Sequence, residues 1–375
     1  MLLLRTAFAR PLRALSNNHP LARDQGVDHR KGAPVAFLIS IQNTSHSFSA
    51  ESDISILQAA LDAGLVLPYN CRDGACGACK GRLISGTLDY GDYAKKALPD
   101  SEKQQGNVLL CQAKARSDLV IEAREVRQAT DIEIRKLPAR VHGMERTADD
   151  VTIIFLKLPP GERLLYLPGQ YVDVLLNDGK RRSFSIGNAP HDDDFLQLHV
   201  RLVEGGSFTP HVFAKMKERD LLRLEGPFGT FHLREDSNKP IVFVASGTGF
   251  APIKAIIEHA FRVGISRRMV LYWGGRRPKD LYLNALAENW SREHALFTYV
   301  PVISDCRIED DWHGRRGLVH RAVMADLPDL SMYQVYACGV PVMVDAARQD
   351  FVVQCGLPES EFFADSFTTT ADLVK

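Results

Sequence analysis

The chain alternates between short apolar runs and polar turns, and the period of this alternation changes along its length. After residue 34, the alternating segments AFLISIQ and SFSA predict a strand pair. A short amphipathic helix follows, which we expect Asp53 to cap and Gly64 to end. RLIS, VLLCQ and LVIEA are predicted as further short strands. Residues 35–125 are therefore expected to form one small mixed domain.

The rest of the chain divides into a linker and two domains of different pattern. Residues 126–137 are charged, lack an apolar stripe and precede Pro138, which is typical of a linker. Residues 138–236 contain β-rich segments separated by Pro, Gly and Asp turns, as in an antiparallel barrel. Residues 237–375 repeat apolar strand, glycine turn and amphipathic helix, which predicts a parallel α/β sheet. The predicted fold class is a multidomain protein of α+β and α/β type.

Charge and apolar content narrow the possible partners. Lys plus Arg and Asp plus Glu both total 46 in 375 residues, so no overall field favours nucleic acid. No apolar run is long enough for a membrane-spanning helix. Residues 1–34 have no acidic side chain before Asp24, as in a mitochondrial transit peptide. We favour instead a disordered leader or a misassigned start, and a cytoplasmic protein.

Four of the seven cysteines have a metal-site spacing. The first three have four and two residues between them, and the fourth follows after 31 more, which is the plant-type [2Fe–2S] pattern. Gly74 and Gly77 would permit positive φ on this loop. A structural zinc site is the main alternative, but only one C-x2-C pair is present. The predicted ligands are Cys71, Cys76, Cys79 and Cys111.

With this spacing, residues 35–125 resemble a plant-type ferredoxin, whose fold is a β-grasp. The segment KRRSFSIGN resembles the flavin motif R-x-[FY]-[ST] of the ferredoxin–NADP reductase family. The resemblance implies a Greek-key FAD barrel in which Arg182 pairs with the diphosphate, Phe184 packs on the cofactor and the Ser185 hydroxyl approaches flavin N5. A plain basic strand is the alternative for this short motif.

Two further segments extend the resemblance over the FAD site. LHVRL resembles the family strand along the ribityl chain, and EGGSFT resembles the glycine turn whose amides meet the diphosphate. The terminal FFADSF resembles the strand that covers the flavin; its Phe363 and Asp365 lie either near the ring or only in the sheet. The remaining residues expected to bind FAD are His199, Val200, Gly205, Gly206, Ser207, Thr209 and Phe367.

The nicotinamide cofactor is expected at glycines that follow the apolar strands. Such turns lie at the carboxyl edge of an open α/β sheet, where ligands bind. The segment CGVPVM resembles the family's C-G-x-P-x-M, whose cysteine lies beside the nicotinamide; a space-filling cysteine is the alternative. Arg276 or Arg277 would accept a 2′-phosphate or be surface charge, which leaves NADH and NADPH both open. The predicted residues are Gly247, Thr248, Gly249, Pro252, Gly275, Arg276, Cys338 and Gly339.

Together these sites predict an oxidoreductase in which NAD(P)H reduces FAD, FAD reduces the cluster and the cluster reduces a protein acceptor. Flavin is needed because a hydride carries two electrons and the cluster takes one. Ser185 and Cys338 are the expected catalytic residues. The domain order resembles reductases that serve multicomponent oxygenases or a deoxysugar dehydrase, and YNCRDGACGACKG and YWGGRRPKDLYL resemble the latter. A non-catalytic redox-sensing module and a free flavin reductase are the alternatives.

Overall fold

The computed structural model describes residues 35–124, 126–128, 132–206 and 208–368. The predicted leader and Ser207 lie outside the described residues. The helices are α1 Ile56–Asp62, α2 Asp100–Gln104, α3 Thr209–Ala214, α4 Phe250–Arg262, α5 Asn284–Glu293, α6 Val319–Asp326 and α7 Pro341–Gln354. The strands are β1 Ala36–Ile41, β2 Ser47–Glu51, β3 Leu65–Val66, β4 Lys80–Ser85, β5 Leu88–Asp89, β6 Asn107–Leu109, β7 Lys114–Ala115, β8 Leu119–Glu122, β9 Arg127–Gln128, β10 Arg135–Ala148, β11 Val151–Lys157, β12 Tyr171–Leu175, β13 Arg181–Ser185, β14 Leu196–Arg201, β15 Leu221–Phe228, β16 Ile241–Ser246, β17 Met269–Gly275, β18 Phe297–Ile303, β19 Arg315–Arg316, β20 Gln334–Gly339 and β21 Phe362–Ser366.

The first sheet is mixed and has the order β2-β1-β8-β4-β6. β1 pairs antiparallel with β2 and parallel with β8, so the predicted strand pair is confirmed. The predicted cap of α1 is wrong, because Ser55 is the N-cap residue and its hydroxyl accepts a hydrogen bond from the Gln58 amide. The helix begins after Ser55, where that hydroxyl satisfies an amide of the first turn. Gly64 follows the helix with φ of 74°, as expected.

The second sheet is antiparallel and has the order β13-β12-β15-β10-β11-β14. Its two outer strands approach each other at an isolated antiparallel bridge between Ile186 and Leu198. Alternate residues such as Ile154, Leu156 and Leu198 point inward and are buried. The strand β9 and the first residues of β10 lie within the predicted linker.

The third sheet is parallel throughout and has the order β19-β18-β17-β16-β20-β21. Its central strand β16 is a continuous apolar run because helices cover both faces of the sheet. A 3-10 turn, Gly247–Gly249, leads directly from β16 into α4. The predicted parallel α/β architecture is confirmed, and its glycine turns lie at the carboxyl edge. No helix in the described part of the chain has the length and apolar character to cross a membrane.

Candidate functional site

The cysteine loop, residues 71–79, is a tight turn built from residues with positive φ. Gly74 and Gly77 each have φ of 75°, as predicted, and Arg72 has φ of 62°. Gly74 is also sterically required, since an added Cβ would lie 2.8 Å from Cγ of Gln112. This conformation turns backbone amides toward sulfur, as the Asp73 amide shows by donating to Cys71 Sγ at 3.4 Å. The loop therefore offers thiols together with N–H donors that stabilise thiolates.

The four predicted ligands are arranged as two pairs of thiols. Cys71 hydrogen bonds with Cys76, and this bond lowers the pKa of Cys71 to about 6. Cys79 hydrogen bonds with Cys111, and this bond together with burial raises the pKa of Cys79. A two-iron cluster held by four cysteines needs two thiolates for each iron. The donor set thus fits a [2Fe–2S] cluster, and the assignment of the individual ligands stays a prediction.

Beside the loop lies a cavity of about 340 Å³, which we call the central cavity. Of the ferredoxin-like residues, Asn70, Cys71 and Asp73 line it; Ser185 comes from the antiparallel sheet and Thr248 from the parallel one. The site predicted for the cluster is therefore contiguous with that predicted for FAD. The predicted cofactor residues that line the cavity are Arg182, Phe184, Ser185, His199, Gly206, Thr209, Thr248 and Phe367.

Other predicted residues lie behind this lining. Val200 is fully buried in the core of the antiparallel sheet. Gly249 packs against β20, because an added Cβ would lie 2.2 Å from the Cys338 carbonyl oxygen. Gly339 has φ of 140° and touches Ser246 in the same way. These glycines allow the close approach of β16 and β20 at the carboxyl edge, a structural role that leaves their cofactor contacts as predictions.

Polar atoms without partners mark places that a polar cofactor would satisfy. His199 donates or accepts at Nδ1 with the Tyr282 hydroxyl at 2.8 Å, but its buried Nε2 has no partner. Burial lowers the pKa of His199 to about 3, so the ring is neutral at neutral pH. Arg201 has a buried Nη2 without a partner and lies against Gly247, whose added Cβ would be 3.3 Å from the guanidinium carbon. A guanidinium beside a glycine turn suits a diphosphate.

Asp365 connects three parts of the chain. Its carboxylate accepts hydrogen bonds from the Asn70 amide, from the Ser185 hydroxyl at 3.2 Å and from the Cys338 thiol. Burial raises the pKa of Asp365 to about 6. The structure thus joins the two predicted catalytic residues through one carboxylate, which lies in β21 and lines the central cavity.

Sequence patterns alone do not assign roles to several of these residues. The segment FFADSF leaves a role near the ring and a role in the sheet both open for Asp365, and Asn70 precedes Cys71 in YNCRDGACGACKG without a predicted role. Arg201 lies within the recognised segment LHVRL, directly after His199 and Val200, and a cation inside that segment is the available signal.

The two arginines considered for a 2′-phosphate, Arg276 and Arg277, directly follow β17 and have different surroundings. Arg277 is bound by acids, since its Nε donates to Asp310 at 2.6 Å and its Nη2 to Glu309 at 3.3 Å. Arg276 donates from its amide to Asp280 at 2.8 Å, and its side chain is 69% exposed. Pro252 lies buried in the first turn of α4, and Gly275 packs on Asp280. Arg277 is therefore already neutralised by its own neighbours.

Three family models match separate parts of the chain. Residues 39–116 match the family model of the 2Fe-2S iron-sulfur cluster binding domain. Residues 138–233 match the oxidoreductase FAD-binding domain, and residues 243–349 match the oxidoreductase NAD-binding domain.

Similar proteins extend over most of the chain. A CDP-6-deoxy-L-threo-D-glycero-4-hexulose-3-dehydrase reductase from Yersinia pseudotuberculosis is 41% identical over 85% of this chain and 95% of its own. Reductase component 1 of a terephthalate 1,2-dioxygenase from Comamonas is 35% identical over 88% and 97%. Among solved structures, a cytochrome P450 reductase from Amycolatopsis has a TM-score of 0.73 and 32% identity, covering 89% of this chain and 99% of that one.

Proposed function

This chain belongs to the ferredoxin reductase family, and on that premise we propose that it delivers single electrons to a dehydrase acting on a CDP-linked 6-deoxyhexulose. The chain is an oxidoreductase with 2Fe-2S, FAD-binding and NAD-binding domains, and electrons pass from NAD(P)H through FAD to the cluster. The identity of the acceptor rests on the relative that is 41% identical and named as such a dehydrase reductase. The sequence motifs of the chain resemble those of CDP-6-deoxy-Δ3,4-glucoseen reductases, which supports the same acceptor.

The contiguity of the central cavity and the cysteine loop is the observation that carries the proposed electron path. Cys71 and Ser185 line the same cavity, so a cofactor beside Ser185 adjoins a cluster ligand. Bound FAD supplies the conversion of a two-electron hydride into single electrons. The task of the protein is to hold both groups in contact and to exclude water between them.

The FAD site is proposed on side chains with matching chemistry. Arg182 and the amides around Gly206 hold the diphosphate, because a planar guanidinium and turn amides both suit phosphate oxygens. Phe184 packs beside the cofactor. Ser185, which lines the central cavity, would place its hydroxyl beside the flavin ring. Arg201 lies beside Gly247; its Nε is 3.5 Å from Asp150 Oδ2, and its buried Nη2, which lacks a hydrogen-bond partner, would be free to donate to the cofactor.

The nicotinamide is proposed to enter from the carboxyl edge of the parallel sheet. Thr248 and the start of α4 would hold the diphosphate of NAD(P)H, since a helix N-terminus favours an anion. Cys338 is a neutral thiol, because burial raises its pKa and Asp365 accepts its hydrogen bond. Asp365 thereby fixes the orientation of both the Cys338 thiol and the Ser185 hydroxyl.

Several finer features belong to the same proposal. The mixed sheet with α1 is a β-grasp, and the antiparallel sheet is a Greek-key barrel, whose closure the bridge at Ile186 and Leu198 supports. The domains span residues 35–125, 138–236 and 237–375. The balanced charge supports the absence of a nucleic-acid partner, and the odd number of clustered cysteines supports a reducing compartment such as the cytoplasm.

Reconstitution with separate acceptors tests the proposed partner. The loaded protein is mixed with NADH and either a CDP-6-deoxyhexulose dehydrase or the oxygenase component of a dioxygenase, and product is measured. Turnover with the dehydrase alone supports the proposal. Turnover with the oxygenase alone favours the alternative function, the reductase component of a multicomponent oxygenase. The 35% identical dioxygenase reductase suggests this alternative. Failure to reduce cytochrome c with either NADH or NADPH would instead favour a redox-sensing module.

A further inference from the structure

The two residues that flank Cys71, Asn70 and Arg72, both form polar contacts with distant parts of the chain. Asn70 donates its side-chain amide to Asp365, and its carbonyl accepts a hydrogen bond from the Tyr171 hydroxyl at 2.7 Å. Arg72 forms an ion pair with Asp173. Thus one cluster ligand, the one that lines the central cavity, has a long-range contact on each side.

The ion pair between Arg72 and Asp173 is largely buried and is supported by further contacts. Asp173 is only 1% exposed and also accepts a hydrogen bond from the Ser183 hydroxyl at 2.6 Å. The Arg72 guanidinium lies 3.8 Å from the centre of the Phe228 ring. Arg72 itself has φ of 62°, an unfavourable conformation for a residue with a side chain. The unfavourable backbone conformation of Arg72 and the burial of the Asp173 charge both cost free energy. We interpret them as the cost of holding this part of the loop in one position.

A second ion pair also joins the ferredoxin-like residues to the reductase part, but it is much more exposed than the pair of Arg72 and Asp173. Arg124 pairs with Glu359, and the two side chains are 42% and 49% exposed. Neither residue flanks a cysteine or lines the central cavity. An exposed pair of this kind contributes little to stability. Contact between the ferredoxin-like part and the reductase part is thus strong at Cys71 and weak at Arg124.

We propose that Arg72 and Asp173 are positioning residues for electron transfer: their ion pair holds Cys71 against the flavin site and so sets the rate at which the cluster is reduced. The inference rests on the proposed function. In the step concerned, reduced flavin loses one electron and the cluster gains one, and no bond to the protein forms or breaks. NADH supplies the electrons, as in the proposed reaction.

The test uses the full-length protein loaded with FAD and cluster, without oxygen or acceptor. Stopped-flow absorbance after mixing with NADH separates reduction of the flavin from reduction of the cluster. Amide hydrogen exchange of residues 69–73 in the same samples reports loop position independently of activity. The variants are Arg72→Lys, Arg72→Gln and Asp173→Asn, with Arg124→Gln as the matched control.

We expect Arg72→Gln and Asp173→Asn to slow cluster reduction about tenfold, because displacement of a reacting group is costly, and to speed amide exchange in the loop. Flavin reduction by NADH should stay unchanged. Arg72→Lys keeps the charge but loses the forked geometry and ring contact, so an intermediate effect is expected. Arg124→Gln should match the unchanged protein in both measurements.

The inference is overturned if Arg72→Lys and Asp173→Asn reduce the cluster at the normal rate, or if Arg124→Gln slows it equally. If Arg72→Gln fails to retain iron, the other two variants decide by the same criteria. Failure of the proposed function looks different: the unchanged protein would then show no flavin reduction by NADH or no cluster reduction at all.

Discussion

The cysteine loop is assembled mainly from neighbours in the chain, whereas the carboxyl edge of the parallel sheet is assembled from residues far apart. Three thiols and two glycines with positive φ lie within residues 71–79. At the edge, Asp365 binds Ser185, which is 180 residues away, and Asn70, which is 295 residues away. One region is a local turn, and the other depends on the correct packing of three sheets.

This difference implies that the loop mainly binds the cluster, whereas the edge mainly positions the reacting side chains. A local turn can present three of the four predicted cluster ligands, because its conformation is favoured by glycines and by amide–sulfur hydrogen bonds. The edge acts only when the sheets are packed together, since no single segment contains its carboxylate, hydroxyl and thiol. Substitution of a cysteine in the loop should therefore remove the cluster, and substitutions at the edge should change rates, stability or specificity with cofactors retained.

The largest effect is expected for Cys76→Ser in the loop. Serine does not replace a thiolate ligand, so the cluster should be lost and transfer to a one-electron protein acceptor abolished. Reduction of ferricyanide by NADH should persist, because the flavin site is intact. Iron content and acceptor reduction are measured, with Cys306→Ser as a control outside the quartet. Delivery to the acceptor by a cluster-free variant would contradict the electron path.

Ser185→Ala tests the edge by removing one hydroxyl. Loss of a single donor at a reacting centre typically costs about 10²-fold or more in rate. Flavin reduction by NADH should slow accordingly in stopped-flow, while FAD and iron contents stay normal. The control is Ser237→Ala, since Ser237 does not line the central cavity. Equal rates for the two variants would remove Ser185 from the proposed mechanism.

Asp365 gives the edge a pH-dependent stability. Burial raises its folded pKa to about 6, above that of an unfolded aspartate, so the favourable contribution is present at low pH. It is lost as pH rises from about 4 through 6, by up to about 3 kcal/mol. Denaturant unfolding at several pH values should show this loss relative to Asp365→Asn. Parallel pH curves for the two proteins would contradict it.

The smallest effect is expected for nucleotide choice at the end of β17. Asp310→Asn combined with Glu309→Gln releases Arg277 from its acids, which makes the guanidinium available for a 2′-phosphate. The KM for NADPH should fall about threefold with that for NADH nearly constant. Asp311→Asn, an exposed neighbour, is the control. No change in the ratio of the two KM values would show that Arg277 lies away from the bound nucleotide.

The same contrast explains what the sequence could predict. Cysteine spacing, the apolar run of β16 and the alternating strands of the antiparallel sheet are local patterns, and all were predicted at the right segments. The cap of α1 was wrong because Asp53 and Ser55 are both good capping residues, and only backbone geometry selects Ser55. Asn70, Arg72 and Asp365 lie in recognised segments, but their roles could not be predicted because these depend on partners from distant parts of the chain.

The central claim is that electrons pass singly from flavin to a cluster bound by the cysteine loop. It is tested most directly by mixing the loaded protein with NADH under anaerobic conditions, freezing samples at successive times and recording electron paramagnetic resonance spectra. The account predicts that the signal of a reduced [2Fe–2S] cluster appears after the flavin absorbance has fallen. A flavin that is fully reduced while the cluster stays oxidised would contradict it.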